Sequence, residues 1–409
     1  MVTISNAALQ NEIYVVINGR ELLDCTVQQP AGEDCPEAKQ YIFNTNVVFD
    51  RTGKVINRFR KINLFGEHAH TPALRPDLGV FETDFGVVFG HFICFDLMFQ
   101  VPAVQVVQKS RVKDIIFPTM WFSELPYLTG SGIYSGKAGA LISIMPGLPT
   151  TKVLVAKVPK VPGRVTEPYP GPIYDDPANL DNLKLITDPS LPSHVSRLLE
   201  LGSQEFTLVD KDVTCTFKVT LAQREGNTQY RYRAGVFSGV RSYSGVATGG
   251  VRICGIYACI NETRSSCGER LSTYVANTTG IFEELVITAR MPTPVVVYEL
   301  STDDSIVYPV TSNVAIMPLE SKEYTYTKVA YNNVTVHTMM LTNKFAELYS
   351  FALWGRRFAT DGQVEDPPLP DEEIETSETP TTPAPGASTV HLLNKLLLTC
   401  FVVFVCIRL

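Results

Sequence analysis

Two residues of the chain have side chains suited to covalent chemistry on a carbonyl group. Cys94 follows an apolar run, residues 87–93, and opens a new segment where a buried strand would pass into a helix. A thiol at such a turn is a candidate nucleophile. Lys61 lies 33 residues upstream, between a strand-like stretch at 46–50 and a loop-like one. Its ammonium is suited to stabilise an oxyanion, so the sequence predicts both a nucleophile and an oxyanion-stabilising cation.

The elements that would position these residues are short strands that alternate with helix-compatible or polar stretches. Apolar runs predict buried strands of an α/β layered domain at 14–17, 46–49, 87–93 and 112–117, and a later strand at 152–158. A proline-rich passage, 159–192, follows. Beyond it, alternating residues such as those of 214–219 and 324–329 predict a β-rich second domain.

Five sequence blocks resemble the vanin and biotinidase branch of the nitrilase, or carbon–nitrogen hydrolase, superfamily. In chain order they are residues 44–50, 60–65, 94–97 with 102–104, 117–121 and 130–134. The resemblance implies an α/β fold in which an incomplete nitrilase-type αββα sandwich, residues 1–205, precedes a β-rich vanin-type base domain, residues 206–358. It also implies hydrolysis of a linear, non-peptide amide by a Glu, Lys and Cys triad, with no cofactor or metal.

The resemblance gives three residues of this chain a role. Cys94 is implied to be the nucleophile that forms a thioester, Lys61 the oxyanion stabiliser, and Glu67 the residue that orients Lys61. The general-base glutamate of the family lies before the segment that here reads as residues 11–18, so it is absent from this chain. Asp96 is expected to accept a hydrogen bond at the start of the helix after Cys94, not to act in catalysis.

Two missing pieces predict a truncated copy of a longer protein. The signal peptide and base-bearing strand of the family have no counterpart before residue 11, and residues 126–129 run directly into 130–132, where the family has further structure. That internal deletion would lie beside the substrate pocket, near which Trp121 is expected to pack. We therefore expect the full-length protein to be an enzyme and this chain to be an impaired one.

Two substrates follow from the resemblance. Pantetheine would be cut to pantothenate and cysteamine, and a biotinyl amide would be cut to release biotin. Residues 63–65 are nearer to the vanin form, which favours a pantetheine hydrolase over a biotinidase-like amidase. A non-catalytic cell-surface binding protein, anchored through glycosylphosphatidylinositol (GPI), is the alternative from another class. Superfamily members commonly dimerise through the nitrilase domain, although the missing segments weaken that expectation.

Composition and cysteine usage indicate an exported protein of about two to three domains. The 409 residues carry a net charge of −7, which gives no reason to expect nucleic acid as a partner. Six cysteines remain once Cys94 and the two of the apolar tail, Cys400 and Cys406, are set aside. An even number favours disulfides in an oxidising compartment, with the pairing open and six reduced intracellular thiols as the alternative. The six are Cys25, Cys35, Cys215, Cys254, Cys259 and Cys267.

The second domain and the carboxyl end carry modification signals. N-glycosylation sequons begin at Asn261, Asn277 and Asn333. An acidic linker rich in Pro and Thr, 359–388, precedes a hydrophobic segment, 389–409, an order that predicts GPI attachment at Gly386. Its apolar run is short for a single-pass span, which needs roughly 20 residues. The expected location is the extracellular side of the cell membrane, provided that the full-length form has a signal peptide.

Overall fold

The computed structural model describes most of the chain up to residue 370. It describes residues 1–370 except 29–33, 76, 122, 128–130, 136–138, 149, 162–170, 174–180, 182, 184, 225–228, 274 and 276, together with the backbone of Val403–Cys406. The predicted attachment residue Gly386 lies outside the described residues. Within them, no helix has the length and apolar character to cross a bilayer.

Small sheets and short helices make up the first part of the chain. The helices are α1 (Val2–Asn11) and α2 (Gln105–Gln108), with 3-10 turns at Cys94–Met98 and Leu191–Ser193 and a π turn at Gln100–Val104. The strands are β1 (Tyr14–Asp24), β2 (Gln40–Phe49), β3 (Val55–Arg60), β4 (Val80–Glu82), β5 (Val88–His91), β6 (Asp114–Ile116), β7 (Ser123–Leu125), β8 (Ser131–Ser135), β9 (Gly139–Ile144), β10 (Gly171–Ile173) and β11 (Leu185–Thr187).

The two candidate residues follow the ends of paired strands: Lys61 comes directly after β3, and Cys94 comes three residues after the end of β5. β1, β2 and β3 pair in antiparallel order. β4 pairs antiparallel to β5, and β5 runs parallel to β6. β7 and β11 form a separate parallel pair, while β8, β9 and β10 form a third small sheet.

The apolar runs of the sequence predict most of these strands, with one error. The predicted strands at 14–17, 46–49, 87–93 and 112–117 correspond to β1, β2, β5 and β6. The predicted strand at 152–158 is wrong, because no described strand pairs with this stretch. Its alternate valines face solvent, with Val153 81% and Val155 63% exposed. A ladder needs a neighbouring strand, which residue alternation alone does not supply.

Antiparallel strands fill the second part of the chain. They are β12 (Val195–Leu198), β13 (Gly202–Asp210), β14 (Val213–Ala222), β15 (Arg231–Tyr243), β16 (Ala247–Cys259), β17 (Ile281–Pro292), β18 (Val296–Val297), β19 (Thr302–Asp303), β20 (Ser305–Asn313), β21 (Tyr324–Tyr331), β22 (Val334–Leu341) and β23 (Leu348–Arg357), with 3-10 turns at Arg264–Ser266 and Phe358–Thr360. A last strand, β24 (Val403–Cys406), pairs with β1.

Two five-stranded sheets of this part face each other. Their orders are β12-β15-β16-β23-β20 and β13-β14-β17-β22-β21. Phe217 and Ile287 of the second sheet pack in one buried core with Ile256 and Phe351 of the first. The period-two prediction of a β-rich domain is therefore confirmed, since alternate residues of β14 are buried.

Three disulfides settle the pairing that the sequence left open. Cys215 of β14 is joined to Cys254 of β16, which links the two sheets through their shared core. Cys259 pairs with Cys267, and Cys25 pairs with Cys35. Cys94 is the free thiol of the described residues. Three disulfides fit a protein of an oxidising, extracellular environment.

The sheet that contains β16 is buried on both faces. One face packs on the other sheet, and the opposite face packs on the first part of the chain, where Phe95 and Tyr127 contact a cluster that includes Tyr257 and Trp354. If only one face of the sheet were covered, alternate residues of β16 would be exposed, whereas Gly249 to Cys259 are all buried. The two parts therefore share a hydrophobic interface.

We expect the inter-sheet disulfide to contribute more stability than the local one. Cys215 and Cys254 are 39 residues apart, and Cys259 and Cys267 only 8. Loop-closure entropy then predicts losses of about 4 and about 2.5 kcal/mol when each pair is replaced by alanine. Urea unfolding of the two double variants measures the difference. Equal losses would contradict the loop-length argument.

Acidification should weaken the interface through His194. This fully buried ring stacks on Phe237 with 5.1 Å between centroids, and burial lowers its pKa to about 4. The unfolded chain keeps a pKa near 6.5, so between these values it binds more protons than the folded chain. The stability that the neutral His194 ring contributes is fully present above that range. As the pH falls through the range, the free energy of unfolding decreases by up to about 3 kcal/mol.

The matched variant for this test is His194→Phe, which keeps an aromatic ring beside Phe237 but does not titrate. Unfolding free energies measured by urea between about pH 7 and about pH 4 should fall less steeply for the variant than for the unsubstituted chain. Identical slopes would show that His194 does not couple protonation to folding.

Candidate active site

Cys94 lies on a strained turn three residues after the end of β5. Its φ is 51°, in the left-handed region that residues with a side chain adopt at a cost. The amide of Cys94 donates to the Pro118 carbonyl at 3.0 Å, and its Sγ lies 3.5 Å from the Met120 carbonyl oxygen. The side chain is half-buried. Strain of this kind is concentrated at functional sites, and here it presents a thiol at the end of a strand.

Lys61 follows β3 immediately and is held in a buried ion pair. Its side chain is fully buried, and Nζ lies 2.9 Å from Glu67 Oε2. The other carboxylate oxygen, Oε1, accepts a hydrogen bond from Asn44 Nδ2 at 3.0 Å. A buried ammonium needs a counter-charge, and Glu67 supplies it.

Asn63 and Asp96 connect the Lys61 segment to the Cys94 turn. Asp96 Oδ1 accepts hydrogen bonds from the Asn63 backbone N at 2.8 Å and Nδ2 at 2.9 Å, while Oδ2 accepts from Ile93 N at 3.2 Å. Burial raises the pKa of Asp96 to about 6. The expected hydrogen bond at the start of the turn is present. The hydrogen bonds from Asn63 give Asp96 a second role, which is to join two segments of the chain, and the local sequence did not reveal this role.

A small pocket beside Cys94 takes its walls from both parts of the chain. The Phe95 ring lies 4.9 Å from Phe65, 5.5 Å from Tyr243 and 6.3 Å from Trp121, measured between centroids. Trp121 therefore packs at the pocket, as expected. The full lining is Phe65, Cys94, Phe95, Met120, Trp121, Glu124, Ile186, Tyr243 and Ser244.

Glu124 is a pocket residue that the sequence pattern did not reveal. Its Oε1 accepts from Arg241 Nη2 at 2.8 Å, and Arg241 Nη1 bonds Asp188 Oδ2 at 2.7 Å. Burial raises the pKa of Glu124, and the Arg241 guanidinium opposes that change. The signal that identifies Glu124 is its tertiary partner, which is 117 positions away in the chain.

The carboxylates around the site are all engaged by other groups. Glu67 pairs with Lys61, Asp96 with Asn63, and Glu124 with Arg241. In the described ranges, none of them bonds the Cys94 thiol, whose contact is the Met120 carbonyl. The same ranges contain no cluster of three His, Cys, Asp or Glu side chains placed to hold a metal ion.

Comparison with known proteins identifies the family of the chain. Residues 1–157 match the carbon-nitrogen hydrolase family, and residues 183–361 match the vanin C-terminal domain. The chain belongs to the vanin and biotinidase branch of the carbon–nitrogen hydrolases, a family of amide-hydrolysing enzymes. An α/β nitrilase-type domain followed by a β-rich vanin domain is the fold of that branch, and the two face-packed sheets are its second domain.

Three curated relatives show how far this similarity extends. Vanin-like protein 3 of Drosophila melanogaster is 30% identical over 392 residues, which cover 86% of this chain and 72% of that protein. Biotinidase of Homo sapiens is 26% identical over 338 residues, covering 68% of this chain and 60% of the relative. Pantetheinase of Bos taurus is 26% identical over 309 residues, covering 66% and 58% respectively.

Asp96→Asn should lower the free energy of unfolding. In the variant, the new NH₂ group would face an N–H group of Asn63 or Ile93, and these groups donate to the Asp96 carboxylate in the unsubstituted chain. An unmatched buried donor costs about 1–3 kcal/mol. Asp84→Asn is the matched control, since the Asp84 carboxylate is 56% exposed and its pair with Arg51 lies at the surface. Chemical unfolding measures the free energy of unfolding of both variants. Equal losses would contradict the claim that Asp96 joins the Lys61 segment to the Cys94 turn.

Proposed function

We propose that the chain hydrolyses linear, non-peptide amides through a thioester on Cys94. The carrying observation is the hydrogen-bonded link between Asn63 and Asp96, each two positions after a candidate catalytic residue. Ile62 and Cys94 also pack on the same buried cluster around Phe59. These contacts support Lys61 and Cys94 as parts of one site.

In the proposed reaction the Cys94 thiolate attacks the amide carbonyl carbon, and the carbonyl electrons move to oxygen. The Lys61 ammonium stabilises this oxyanion, and Glu67 orients that ammonium. Collapse of the tetrahedral intermediate breaks the C–N bond, the amine leaves with a proton, and a thioester remains. Water then attacks the thioester, which releases the acid and regenerates the thiol.

We further propose that turnover by this chain is impaired. Attack requires a base to take the thiol proton, and hydrolysis of the thioester requires a base for water. Glu67, Asp96 and Glu124 each bond another group, and among the described residues none of these carboxylates bonds the Cys94 thiol. Without a carboxylate at the thiol, acylation should be slow and should depend on the fraction of thiolate.

Pantetheine is the substrate we propose, with biotinyl amides as the alternative. The pantetheinase relatives support pantetheine, and the biotinidase relatives support the alternative. We place the protein on the extracellular side of the membrane, with a GPI anchor at Gly386. The exposed positions of Asn261, Asn277 and Asn333 and the three disulfides support an exported, glycosylated chain.

Intact-mass measurement of the acylated chain tests this proposal without requiring fast turnover. Pantothenoyl p-nitroanilide has a leaving group that needs little protonation, so it should form a thioester adduct that Cys94→Ala lacks. Lys61→Met should acylate about 100-fold more slowly, because it removes the oxyanion partner. Lys54→Met, at an exposed lysine, is the control and should react as the unsubstituted chain.

Two outcomes would overturn the proposal. One is an adduct that persists in Cys94→Ala. The other is no adduct from either the pantothenoyl or the biotinyl anilide while iodoacetamide still alkylates Cys94, a result that would favour the non-catalytic surface protein.

A further inference from the structure

The turn that joins β15 to β16 forms one wall of the Cys94 pocket. Tyr243 and Ser244 of this turn line the pocket, although they belong to the second domain. The same turn lies close to the Lys61 segment, because a Cβ added at Gly66 would lie 3.7 Å from Val246 Cγ2. One turn of the second domain therefore rests against both candidate catalytic segments of the first.

Buried charges fix the position of this turn. Arg241, two residues before Tyr243, bonds Glu124 and Asp188, and its guanidinium carbon lies 4.6 Å from the centroid of the Tyr243 ring. Arg356 of β23, whose guanidinium carbon lies 5.7 Å from the centroid of the same ring, donates to the Met98 carbonyl at 2.8 Å. The wall is therefore held rigidly against the Cys94 turn, which is what selection by shape requires.

Glu124 gives the pocket a single acidic group among mainly apolar side chains. Its Oε1 is used by Arg241, while Oε2 has no hydrogen-bond partner in the described part of the chain. The aromatic rings of Phe95, Trp121 and Tyr243 surround the remaining space. Such a pocket suits a short apolar stem that ends in a hydrogen-bond donor, because the second carboxylate oxygen of Glu124 can still accept a hydrogen bond.

We propose that Glu124, Tyr243 and Ser244 form a recognition subsite for the non-reacting end of the amide substrate. The group recognised is a short apolar stem that carries a hydroxyl or amide N–H donor. This subsite rests on the proposed hydrolysis at Cys94, and it makes the second domain a determinant of which amide is accepted.

Binding to the Cys94→Ala variant tests the subsite separately from turnover. Trp121 lines the pocket, so its fluorescence reports occupancy, whereas Trp354 is fully buried away from solvent. The probes are 4-hydroxybutyramide and 4-fluorobutyramide, which are nearly equal in size and differ in the hydroxyl donor. The hydroxyl amide should bind about tenfold more tightly, as expected of a hydrogen bond to a charged group. Glu124→Gln, in which the Arg241-bound oxygen is kept and an NH₂ replaces Oε2, should abolish the preference.

A second pair of variants tests the wall without altering the buried charges. Ser244→Asn places a larger side chain at a lining position, and Gly245→Asn places the same side chain next to it, where an added Cβ meets nothing within 4 Å. Both positions have positive φ, which Asn tolerates. Ser244→Asn should weaken 4-hydroxybutyramide by about tenfold or more, and Gly245→Asn should leave its affinity unchanged.

The outcomes separate the two proposals. Equal affinity for the two probes in the Cys94→Ala chain, a preference that survives Glu124→Gln, or equal effects of the two Asn variants would overturn the subsite and leave hydrolysis standing. An intact preference combined with no thioester on the chain that retains Cys94 would remove the hydrolysis and support the pocket as a binding site alone.

Discussion

The buried guanidinium of Arg241 is the interaction on which the arrangement of this chain depends. A fully buried cation is tolerated only with compensating charge, and here Glu124 and Asp188 supply it from two separate strand ends. Glu124 belongs to β7, Asp188 follows β11, and Arg241 belongs to β15. Removal of any one partner would leave an uncompensated charge in the interface. The ion triad therefore requires the first and second domains to be docked together.

Docking in turn explains the double burial of the β16 sheet and the composition of the pocket. A sheet covered on one face would show strict alternation, whereas β16 and β23 are buried almost throughout. The apolar face that contacts the first domain includes Phe237, Tyr257 and Trp354. The hairpin that extends from this sheet reaches the Cys94 turn, so the second domain contributes directly to the site.

Membership of the carbon–nitrogen hydrolase family defines the class of chemistry, and the geometry shows how the segments that carry the candidate residues are held. The segments that carry a strained thiol and a desolvated ammonium are joined by hydrogen bonds between Asn63 and Asp96. The three carboxylates nearby serve other groups: one balances Lys61, one joins two segments, and one pairs with Arg241. These separate interactions of the three carboxylates underlie both the proposed loss of turnover and the proposed recognition role of Glu124.

The sequence by itself determined the family, the candidate residues Cys94, Lys61 and Glu67, and the β-rich character of the second domain, because each depends on a local pattern. It predicted a strand at 152–158 wrongly, since residue alternation does not provide a partner strand. Tertiary structure alone decided the disulfide pairing, the link between Asn63 and Asp96, and the pocket wall at Tyr243. These depend on contacts between residues far apart in the chain, such as the 117 positions from Glu124 to Arg241, which only packing brings together.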